Sequence, residues 1–122
     1  MQRDIDLIRQ ILLELEAQSA YTNWMDIDIE AYSPEQMDYH LELLIEAGLL
    51  NVRTSERGHS RWLPVRLTWE GHEFLDAARD ELRWNRLKEA VASLGSIPFE
   101  IVRVALLEMV KQEASARLPL PE

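Results

Sequence analysis

Residues 33–75 read SPEQMDYHLELLIEAGLLNVRTSERGHSRWLPVRLTWEGHEFL, and this stretch decides the fold. Ser33-Pro34-Glu35-Gln36 is a helix start. Serine caps the exposed amides, proline suits the first turn, and Gln36 completes a capping-box pattern. Met37, Leu41, Leu44 and Ile45 recur at helical spacing, which predicts a helix to about Ala47 with those four side chains on its buried stripe. Gly48 stops it. Leu49 to Thr54 and Trp62 to Thr68 read as paired strands. Leu63, Val65 and Leu67 alternate with Pro64, Arg66 and Thr68, as a half-buried strand requires. Pro64 has no amide to donate, so it belongs at an edge or an unpaired position. Ser55 to Arg61 forms the hairpin tip, where Gly58 allows the turn. Thr68 caps the next helix, which begins at Trp69.

On the N-terminal side, Ile5, Ile8, Ile11, Leu12 and Leu15 make one apolar stripe, and Asp4 can cap that helix from Asp4 to Gln18. Tyr21 to Ala31 has no helical period. Ile27 and Ile29 alternate with Asp28, which predicts a short edge strand or extended loop. On the C-terminal side, Phe74, Leu75, Ala78 and Leu82 form one stripe. Trp84, Leu87, Val91 and Leu94 form another, displaced around the axis. Either the helix bends near Glu81 or it packs on two neighbours before Gly95 ends it. Ser96 and Pro98 start the last helix, to about Ala114. Its apolar residues spread around most of the circumference, so it is central in a core or part of an oligomer interface. Phe99, Val102, Leu106, Met109 and Val110 are the candidate dimer residues.

Helix, extended segment, capped helix, two-stranded hairpin and two helices are the order of a winged helix-turn-helix. The expected fold class is therefore mainly α, with a two-stranded wing and two C-terminal helices. One domain is expected over residues 1–114 and a flexible tail over 115–122, where Pro119 and Pro121 oppose helix.

Charge is uneven along the chain. Residues 1–50 hold 2 basic and 11 acidic side chains, against 4 and 2 in residues 51–72 and 7 and 9 in residues 73–122. The net charge of −9 repels polyanions and favours basic partners. With no cysteine there is no disulfide framework and no thiolate chemistry, which suits a reducing cytoplasm. Acidic residues interrupt the first apolar run, so it reads as neither signal peptide nor membrane span.

The block HLELLIEAGLL, residues 40–50, resembles the recognition helix and turn of winged-helix regulators such as metal-sensor repressors. LTWEGHEFLDAAR, residues 67–79, resembles the segment after the wing in several such families. Together RDIDLIRQILLELE, YSPEQMDYHLELLIEAGLL and RLTWEGHEFLD resemble the domain-of-unknown-function family numbered 2513, over roughly residues 2–110. That resemblance implies a winged-helix scaffold and a phage or mobile-element setting. It implies no catalytic residues.

No constellation points to catalysis. His40, His59 and His72 lack metal-ligand spacing, and His40 adjoins an apolar stripe, where a hydrogen-bonded packing role is expected. Asp26, Asp28 and Glu30 lack the glycine turn of a calcium loop. There is no GxSxG, phosphate loop or dinucleotide fingerprint. No cofactor and no metal are expected, and the chain reads as no enzyme.

Two surfaces carry the functional expectation. The recognition-type helix presents Glu35, Asp38, Tyr39, Glu42 and Glu46, which favours a protein partner with a basic surface. The wing gathers Arg53, Arg57, His59, Arg61, Trp62 and Arg66, which suits a phosphate backbone, a protein partner, or pairing with the acidic helix. A non-enzymatic protein-interaction module is the first reading. A dimeric DNA-binding transcriptional regulator is the second.

Overall fold

A computed structural model describes residues 1–18, 29–52 and 65–119. Among them are helices α1 (Ile5–Ala17), α2 (Pro34–Glu46), α3 (Trp69–Ala78), α4 (Glu81–Ala92) and α5 (Phe99–Arg117). Strands β1 (Leu50–Val52) and β2 (Val65–Leu67) pair antiparallel. The protein is thus mainly helical with a small two-stranded sheet. The residues expected to form one domain fall into two compact units, Met1–Leu75 and Asp76–Glu122.

In the first unit, Asp4 caps α1: its Oδ1 accepts from the Asp6 and Leu7 amides at 2.9 and 3.2 Å. Leu7, Ile8, Ile11, Leu12 and Leu15 are buried, each contributing about 2 kcal/mol before entropy is counted. Ile5, expected on that stripe, is half-buried, and Leu7 takes its place.

The capping box of α2 forms as its sequence requires. Ser33 Oγ accepts from the Gln36 amide at 3.1 Å, and Gln36 Oε1 accepts from the Ser33 amide at 2.8 Å. Met37, His40, Leu41 and Leu44 are buried, while Ile45 is only half-buried. The helix ends in a Schellman motif. The Leu49 amide donates to the Leu44 carbonyl and the Gly48 amide to the Ile45 carbonyl, at 2.9 and 3.1 Å. Gly48 adopts φ +79°, the left-handed conformation in which glycine avoids the Cβ penalty.

The strand register pairs Leu50 with Leu67, Asn51 with Arg66 and Val52 with Val65. Leu50 and Leu67 are buried on one face, and Asn51 and Arg66 are exposed on the other. β2 packs on α1 and β1 on α2. Thr68 then joins three elements. Its amide donates to the Leu49 carbonyl at 3.0 Å, its hydroxyl donates to the Gly48 carbonyl at 2.5 Å, and the same oxygen accepts from the Gly71 amide at 3.0 Å. A Cβ on Gly71 would collide with the Leu49 carbonyl. The TWEG run therefore combines a helix cap with a close backbone approach.

In the second unit, the expected continuous helix from Trp69 onward is broken. Asp80 is extended, and its carboxylate accepts from the Arg83 amide at 2.8 Å, starting α4. Of the second stripe, Trp84 and Leu87 are buried, whereas Val91 is half-buried and Leu94 exposed. Leu82, expected on the first stripe, is 75% exposed. It lies beyond the break, so the period of α3 no longer governs it. α4 packs on α5. Arg83 holds the pair: Nε and Nη2 fork onto Glu113 at 2.9 and 2.7 Å, and Nη1 donates to the Ala77 carbonyl at 2.8 Å. The α5 helix runs to Arg117, past the expected end at Ala114, so part of the expected tail is helical.

The expected strand at Ile27–Ile29 lies outside the described residues except for Ile29, which is buried. The greater part of the hairpin also lies outside them.

Candidate functional site

The acidic surface is built by the phase of α2. Once Met37, His40, Leu41 and Leu44 face inward, Glu35, Asp38, Glu42 and Glu46 are left exposed and Tyr39 half-buried. None of those four carboxylates has an ion-pair partner among the described residues. Gln36, the α2 side chain best suited to reading a base, has committed its carbonyl oxygen to the Ser33 amide. That bond ties Gln36 into the capping box and fixes its direction along the start of the helix.

Behind this face lies a polar anchor. His40 is 1% exposed. Its Nε2 accepts from the Asp4 amide at 2.9 Å, and its Nδ1 lies 2.8 Å from the Gln36 carbonyl. An amide can only donate, so Nε2 carries the lone pair and Nδ1 the proton. Tyr32 donates to Asp4 Oδ2 at 3.1 Å. Burial, and then the bond to Asp4, push the Tyr32 phenol above its ordinary value. His40 thus has the packing role expected of it, and the network fixes α2 against α1.

Of the wing residues, Arg53, Arg57, His59, Arg61 and Trp62 lie outside the described residues. Arg66 is exposed, and its guanidinium donates to the Leu67 carbonyl at 3.1 Å. Trp69 was not among the expected site residues, yet it is 77% exposed. It begins α3 one residue after the Thr68–Gly48 bond, at the end of α2 where Glu46 is exposed. The bond from Thr68 to Gly48, distant in sequence, accompanies this exposure.

Of the dimer residues expected on α5, two are closed off from any partner. Val102 and Leu106 are buried within this chain, and Phe99, Met109 and Val110 are half-buried. Packing against α4 uses that face. The apolar residues α5 leaves outside are Ile101, Val104 and Leu107, each about half exposed at 48, 49 and 53%.

His72 is exposed, and no group of three His, Asp or Glu side chains that could hold a metal occurs among the described residues. No described helix is long and apolar enough to cross a membrane.

No solved structure matches the chain. A protein of Haemophilus influenzae described as "Uncharacterized protein" is 39% identical over 95 residues, which is 76% of this chain and 80% of that relative. The family profile described as "Hypothetical protein (DUF2513)" matches residues 2–97, so the matched region is shorter than the expected 2–110 and leaves α5 outside. With that match over most of its length, the chain belongs to the DUF2513 family.

Proposed function

We propose that the protein is a non-enzymatic, winged-helix interaction module of phage or mobile-element type, working in the cytoplasm. Its α2 docks on a basic protein surface. The carrying observation is the row of exposed carboxylates at Glu35, Asp38, Glu42 and Glu46. A phosphate-lined groove would repel these groups, whereas Lys and Arg on a protein would pair with them and speed the encounter. The order α2, β1, β2, α3 supports the winged-helix part of the reading. Exposed Trp69 supports the docking part, since tryptophan is a frequent interface anchor.

The test is a comparison of the native chain with a variant carrying Glu35→Gln, Asp38→Asn, Glu42→Gln and Glu46→Gln. Both are used to capture proteins from the host and are titrated with duplex DNA at moderate salt. Capture of basic proteins that the variant fails to retain supports the reading. Unchanged capture, or tight sequence-selective DNA binding by the native chain, overturns it.

A second reading is a dimeric DNA-binding regulator that holds DNA through the wing. It draws support from Asn51 and Arg66, which are paired in register on the exposed face of the sheet. Under this reading Arg57→Ala with Arg61→Ala weakens binding and flattens its salt dependence. An unchanged salt slope counts against it.

A further inference from the structure

Glu100, Val104, Leu107 and Lys111 follow one another along α5 at steps of four, three and four. That is the spacing of a helix-pairing seam. All four are exposed, as is Ile101 beside them. The seam is separate from the face that Val102 and Leu106 bury.

We infer that α5 pairs with α5 of a second copy of this chain, antiparallel, about a twofold axis between Ala105 and Leu106. In that register Glu100 lies across from Lys111 of the second copy, and Val104 from Leu107. Both ends of the seam then carry opposite charges and its middle is apolar. Two competing registers fail on charge. A parallel pair sets Glu100 beside Glu100 and Lys111 beside Lys111. A twofold axis through Val104 sets Glu100 against Glu108. Like charges held at such positions are destabilising. The choice of a second copy, rather than another apolar partner, rests on this self-complementarity, which a twofold interface requires. The seam is short, so the dimer is weak and reversible, at the small end of specific interfaces. The inference does not rest on the role of α2, and its failure would leave that role untouched.

Sedimentation equilibrium of the full chain over a wide concentration range is the test. The native chain shifts from 14.2 kDa toward twice that mass as concentration rises. Glu100→Lys and Lys111→Glu each weaken association by about tenfold or more, because each variant faces itself with like charges. An equal mixture of the two variants recovers the native affinity, since each then meets its opposite. Val104→Asp, also at an exposed position, abolishes association while the helical circular dichroism is retained. A native chain that stays monomeric overturns the inference. So does native-like association of either charge variant, or a mixture that recovers nothing.

Discussion

The two compact units are held together by different means. In Met1–Leu75, directional polar contacts specify nearly every junction: Asp4 with His40 and Tyr32, Ser33 with Gln36, Thr68 with Gly48 and Gly71. In Asp76–Glu122, two helices pack through few buried side chains, and one forked ion pair sets their alignment. The difference follows from chain path. Short strands and abrupt helix ends leave orphaned amides and carbonyls that need named partners. A helical pair satisfies its backbone internally and asks only for a matching apolar stripe. The first unit should therefore be sensitive to single atoms, and the second more forgiving.

The sharpest way to break this contrast is at Gly71. Gly71→Ala should destabilise the protein by about 3 kcal/mol, since neither the Leu49 carbonyl nor the start of α3 can yield without disturbing the sheet. Denaturant unfolding measures it, and a loss below 1 kcal/mol would show that the junction is looser than described. Next comes His40→Leu, expected to cost about 2 kcal/mol by stranding the partly buried Asp4 amide. Ser33→Ala should cost about 1 kcal/mol, the usual worth of an N-cap.

The smallest effect is expected in the second unit. Hydrogen bonding to Arg83 holds the Glu113 carboxyl below its ordinary value, outweighing the opposing effect of desolvation. A lowered folded value means that the ionised form favours folding. The contribution is present at neutral pH, above the unfolded value, and is lost as pH falls through the folded one. The thermal midpoint of Glu113→Gln should thus lie slightly below that of the native chain at pH 7 and converge with it on acidification. A gap that widens in acid would reverse the assigned sign.

What the sequence disclosed tracks how local each cause is. The caps at Asp4, Ser33 and Thr68 and the stop at Gly48 each depend on a few neighbouring residues, and each was readable. The bond from Asp4 to His40 spans 36 positions, and no pattern announces it. The break at Asp80 was half visible, as two displaced stripes. Asp80 caps α4 locally, while the contacts of Arg83 with Ala77 and Glu113 on either side of the break appear only in the packed structure. On α5, apolar residues spread so evenly that period left core and interface both open, and only the packed structure buries Val102 and Leu106. The acidic face of α2 was legible because the capping box fixes where the helix begins and hence which residues face out. Trp69 was not: its exposure accompanies the bond of Thr68 to Gly48, distant in sequence.

The proton on His40 Nδ1 is sealed between a ring and a carbonyl, away from solvent. Such a proton is expected to exchange with water slowly and to give its own resonance far downfield in an NMR spectrum. The protein therefore carries an intrinsic probe at the back of α2. A ligand settling on the opposite side of that helix should shift this one line, which can be read without isotope enrichment.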